Sequence, residues 1–99
     1  MSFLVTQPET LATAAGNLRA IGSAVSAQNS AAFAPTTGVA PAAADLVSAV
    51  TAARFTAHAQ TYQALSAQAA AMHDSFVATL AASAGSYAAT EAANVIATG

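Results

Sequence analysis

The chain has 99 residues, about a third of them alanine, with two basic and four acidic side chains and a formal net charge of −2. Two arginines and no lysine leave no clustered cations for phosphate, which argues against nucleic acid. The absence of cysteine excludes disulfides, thiol catalysis and cysteine-ligated metals. Alanine is the best helix former but buries little apolar area, and charge is what normally keeps a helical surface unpartnered. Such a chain makes long, smooth helices that it is poorly equipped to cover, and it reads as half of an assembly.

The start, Met1-Ser2-Phe3-Leu4-Val5-Thr6, lacks a basic region, and Pro8-Glu9 cuts short any apolar run, so it does not read as a cleavable secretory signal. Thr6-Gln7-Pro8-Glu9 is a helix start: threonine as cap, proline in the first turn, Glu9 as a capping-box acid. The first helix is predicted over about 7–33. Its seam repeats by sevens through Leu11, Leu18, Val25 and Ala32, interleaved with Ala14, Ile21 and Gln28. Gly16 and Gly22 lie off that seam and weaken the helix.

The segment 34–41, with Pro35, Gly38 and Pro41, is predicted to end the helix. A second helix is predicted over about 42–84, with Pro41 at its first position and Asp45 near its positive end. One seam runs through Phe55, Tyr62, Ala69, Phe76 and Ser83, interleaved with Thr51, His58, Leu65, Met72 and Thr79. Arg54, Thr61, Gln68 and Ser75 form a polar row beside them. At about 1.5 Å per residue the second helix outruns the first by roughly 25 Å, placing Phe76, Val77 and Leu80 on or near an overhang. Gly85 is predicted to close the helix, leaving 85–99 as a tail whose conformation the sequence does not decide. No run of 18 residues is free of polar side chains, so no transmembrane helix is expected. The predicted fold is all-α, an antiparallel two-helix hairpin.

Three landmarks stand in order: Pro8-Glu9, the connection Pro35-Thr36-Thr37-Gly38-Val39-Ala40-Pro41-Ala42-Ala43-Ala44-Asp45, and Tyr87-Ala88-Ala89-Thr90-Glu91. Together, at this length, they resemble the PE family of mycobacteria, and the resemblance covers essentially the whole chain. It implies a hairpin that completes an elongated four-helix bundle with a PPE-family partner, exported folded through a type VII secretion system. It implies that Tyr87 and Glu91 are the anchors of the export motif, and that Pro8 and Glu9 are the family's naming pair. An EspG-type chaperone is implied to bind the PPE partner rather than this chain, so its link here is indirect. The expected location is outside the cell or at the cell envelope. If the motif is helical, residues four apart share a face, so an aromatic ring and a carboxylate are presented together.

The side chains expected at the partner interface are Leu11, Leu18, Ile21, Val25, Phe55, His58, Tyr62, Leu65, Met72, Phe76 and Leu80. His58, on the seam, is expected to be a hydrogen-bonded interface histidine. His58 and His73 stand about 22 Å apart along one helix, too far to ligate one ion. Asp45, Asp74 and Glu91 are dispersed, and neither a nucleophile elbow nor a phosphate loop occurs. No enzyme, metal or cofactor is therefore expected. Two other readings stand beside the leading one. One is a self-assembling helical homodimer. The other is a component of a PE/PPE assembly carrying small solutes across the outer membrane, with membrane contact only as a complex.

Overall fold

The computed structural model describes residues 5–99, so most of the segment read above as lacking a signal sequence lies outside the described residues. Two helices, α1 (Pro8–Thr37) and α2 (Leu46–Thr98), account for all the regular structure among the described residues. The chain is all-helical, with no strand among those residues.

Both helices are longer than their breakers suggest. Pro35 lies inside α1 rather than after it. It sits in the last turn, where a missing N–H and a crowded carbonyl disturb one bond instead of a whole ladder. Around it the Thr36 hydroxyl donates to the Ala32 carbonyl, the Thr37 hydroxyl to Phe33 O at 2.6 Å, and the Gly38 amide to Ala34 O at 3.0 Å. The Gly38 amide takes up a carbonyl that the helix end would otherwise leave open, and the two hydroxyls add second bonds to carbonyls of the last turn. Gly85 does not close α2: the helix continues to Thr98, and the segment 85–99 is helical up to its last residue. A lone glycine costs a helix about 1 kcal/mol, too little to stop a run as alanine-rich as this one.

The caps also differ from expectation. α2 begins at Leu46, not near 42, and Asp45 is its N-cap. Asp45 Oδ1 accepts the Ser48 amide at 2.8 Å, Oδ2 accepts the Ser48 hydroxyl at 3.2 Å, and the Asp45 carbonyl accepts the Ala49 amide at 3.1 Å. At α1 the cap is Gln7, whose carbonyl accepts the Leu11 amide at 3.2 Å. Thr6, the expected cap, points its hydroxyl elsewhere.

The chain divides into two compact units. The first joins the start of the chain, up to Gly22, to His73–Gly99. Its helices run antiparallel, since Thr6 meets Glu91 and Leu18 meets His73. The buried or half-buried stripe is Pro8, Leu11, Ala15, Leu18 and Gly22 on α1, against His73, Val77, Leu80, Ala84 and Glu91 on α2. Val77 is only 3% exposed, and Leu80 is half-buried. Neither stands on an uncovered overhang, because both lie opposite the first half of α1. Gly22 is on this stripe, not off it. A Cβ built at Gly22 would fall 2.7 Å from His73 Cδ2 and 2.8 Å from Nε2, so the imidazole occupies the space that any other side chain would take. That close approach lets His73 Nε2 donate to the Leu18 carbonyl at 2.7 Å. Leu18 lies four residues before Gly22, on the same helix face.

The second unit is Ser23–Met72. Here Asn29 and Ala32 of α1 share the buried side with Ser48, Ala52, Thr56, Ala59, Gln63 and Ser66 of α2. Asn29 ties the helices twice. Its side-chain oxygen accepts the Tyr62 hydroxyl at 2.9 Å, and its carbonyl accepts Gln63 Nε2 at 3.0 Å. The helices of the second unit thus meet over alanine and polar side chains, whereas those of the first also pack Leu11, Leu18, His73, Val77 and Leu80.

Candidate protein interface

The buried stripe of α2 sits one residue after the seam expected from its large side chains. The expected seam is 51, 55, 58, 62, 65, 69, 72, 76, 79 and 83, of which only Ser83 is half-buried; buried or half-buried instead are 52, 56, 59, 63, 66, 73, 77, 80 and 84, each one residue after a seam position. One residue is about 100° around a helix. The bulky set is therefore turned away from α1 and toward solvent. In the second unit Val25, Phe33, Phe55, Tyr62, Leu65 and Met72 are all exposed, Phe55 by 61% and Met72 by 74%. In the first unit Ile21 and Phe76 are exposed, while Leu11, Leu18 and Leu80 are half-buried on the stripe facing the chain's own partner helix.

Within the second unit an open groove of about 260 Å³ is bounded by Pro35, Val39, Phe55, His58 and Tyr62, with Ala59 and Gln63 among its other lining residues. His58 is exposed at this groove, and among the described residues no side-chain hydrogen bond engages it. The histidine on the seam between the helices is His73. Sequence reasoning missed it because its phase was set by aromatic and branched side chains, whereas the contact stripe is built from small ones. Gly22, 51 residues before His73, was the available signal: a glycine in a helix interior is costly unless something approaches its backbone.

The C-terminal pair lies one turn apart on the last stretch of α2. Tyr87 is exposed, whereas Glu91 is half-buried, and its Oε1 accepts the Thr6 hydroxyl at 2.9 Å. From Ala92 to Gly99 every residue is exposed. Pro8 opens α1 and is half-buried; Glu9 is exposed in the first turn, where a carboxylate favours the positive end of the helix. Among the described residues no three of His, Asp and Glu gather as a metal site would require, and no helix is long and apolar enough to cross a membrane.

The PE family model matches residues 4–94. The chain belongs to the PE family. Among its relatives in Mycobacterium tuberculosis, PE family protein PE13 is 64% identical over 97 residues, covering 98% of each chain. PE family protein PE8 is 60% identical over 94 residues, and PE-PGRS family protein PE_PGRS33 is 61% identical over 94. These matches take in 95% of this chain but only 34% of PE8 and 19% of PE_PGRS33. The fold described above is thus shared with a much longer chain in some members of the family and with nearly the whole chain in another.

Proposed function

We propose that this PE protein is a non-enzymatic binding partner that pairs with a PPE-family protein through a four-helix bundle and leaves the cell through a type VII secretion system. The observation that carries the reading is the inversion of bulk. In the second unit the helices meet over small and polar side chains, while Phe55, Tyr62, Leu65 and Met72 stand exposed along α2 at steps of seven, three and seven; Phe76, four residues on, is likewise exposed in the first unit. Aromatic and long apolar side chains in a row are what a second helical layer buries, and they commonly carry most of the binding energy of such an interface. Small residues on the inner side let α1 and α2 approach closely, which leaves the outer row for the partner.

In this reading Tyr87 and Glu91 are the export signal. They form part of a helix, so a ring and a carboxylate are displayed on one face. The chaperone of the EspG type acts on the PPE partner, and the pair functions at the cell envelope or in host interaction.

Co-expression with the partner is expected to yield a 1:1 helical complex, and the chain alone to be poorly soluble. A sharply melting monomer, or a homodimer by light scattering that no PPE protein dissociates, overturns the pairing. Tyr87→Ala is expected to leave pairing intact and abolish export; unchanged export removes the role assigned to the motif.

A further inference from the structure

We infer that Thr6 is a positioning residue for the C-terminal motif: its hydroxyl holds the Glu91 carboxylate and so fixes how the last turns of α2 are presented. The inference rests on the reading of Tyr87 and Glu91 as the export signal, and it adds a residue 85 positions away in sequence.

Thr6 lies two residues before α1, one residue outside the position that caps the helix. Here that role falls to Gln7, and Thr6 Oγ1 instead donates to Glu91 Oε1 at 2.9 Å across to α2. Both side chains are half-buried, so the bond is partly sheltered from water, and a hydroxyl on an ionised carboxylate makes one of the stronger hydrogen bonds available. The bond sits where cover ends. Glu91 is the last half-buried residue of α2, and everything after it is exposed. A helix end without tertiary contacts frays readily. The bond therefore pins the outer end of the turn that carries Tyr87, whose inner end is held by the buried Ala84.

The test uses the full chain, co-expressed with its PPE partner in a mycobacterial host, with three variants: Thr6→Val, Thr6→Ser and Tyr87→Ala. Valine keeps the shape of threonine and removes the hydroxyl; serine keeps the hydroxyl. The exported fraction is expected to fall at least threefold in Thr6→Val and to stay at the parental level in Thr6→Ser, with co-purification of the partner unchanged in both. Amide hydrogen exchange over 84–98 of the purified pair is expected to quicken in Thr6→Val only. Normal export and normal exchange in Thr6→Val, with export lost in Tyr87→Ala, overturn the positioning role and leave the motif standing. Equal loss of export in Thr6→Val and Thr6→Ser also overturns it, since the hydroxyl is then not what matters. Normal export in Tyr87→Ala overturns the motif itself.

Discussion

The ring of His73 fills the space where a side chain at Gly22 would begin, 2.7 Å from an ideal Cβ, and from there reaches the Leu18 carbonyl. Gly22→Ala must displace that ring or spread the helices. Overpacking costs about 1–3 kcal/mol and the lost hydrogen bond about 1 kcal/mol, against a gain of about 1 kcal/mol in helix propensity. The expected net effect is a destabilisation of about 1–3 kcal/mol. Gly16→Ala meets nothing within 4 Å and is expected to stabilise by up to about 1 kcal/mol. Thermal unfolding of the two variants, followed by circular dichroism, should shift in opposite directions.

Asp45 satisfies the first turn of α2 by accepting the Ser48 amide. Asp45→Ala leaves that amide without its cap and is expected to cost about 1 kcal/mol, whereas Asp45→Asn keeps an accepting oxygen and most of the stability. Equal melting of the two variants would show that charge, not the capping oxygen, is what counts there.

Val77 and Phe76 are neighbours with opposite surroundings, 3% and 58% exposed. Val77→Ala is expected to destabilise the chain by about 2 kcal/mol through lost burial and a small cavity. Phe76→Ala is expected to change the stability of the chain itself by no more than about 0.5 kcal/mol, yet weaken the complex with the partner at least tenfold. Denaturant titration of the chain and calorimetric titration of the pair separate the two effects.

Tyr62 is exposed along its ring but donates its hydroxyl to Asn29. Tyr62→Phe keeps the apolar surface and removes the donor. It is expected to cost under about 1 kcal/mol in stability and to leave partner affinity within twofold, whereas Tyr62→Ala lowers affinity at least tenfold. Equal binding by the Phe and Ala variants would remove the ring from the interface.

Much of this was legible in the sequence. Two helices, the turn near Gly38 to Asp45 and an all-α fold followed from alanine content and breakers. The spacing of Phe55, Tyr62, Leu65 and Phe76 also identified a real stripe. What it did not give was the stripe's side. Periodicity is read from large side chains, and although Leu11, Leu18, Val77 and Leu80 share the contact, its most buried positions also include Ala15, Ala52, Ala59 and Ala84, which leave almost no mark in such a pattern. The ends were misplaced for a related reason. Pro35 and Gly85 read as stops in the sequence, but a proline in a last turn and a glycine in an alanine-rich run each carry a small penalty that neighbouring bonds outweigh. Thr6 was placed as a local cap because capping is a short-range rule, and its actual partner, Glu91, lies at the far end of the chain.

Alanine packed on alanine has almost no preference for one alignment over another. Sliding one helix past the other by seven residues within the second unit would again bring small side chains against small ones. What such a slide loses there is Asn29 with Tyr62 and Gln63; in the first unit Thr6 with Glu91 and Leu18 with His73 act in the same way, beside the fit of His73 against Gly22. Each is modest in energy, but they act as the teeth of a ratchet. The smooth surface supplies closeness, and these few bonds choose the notch in which it stops.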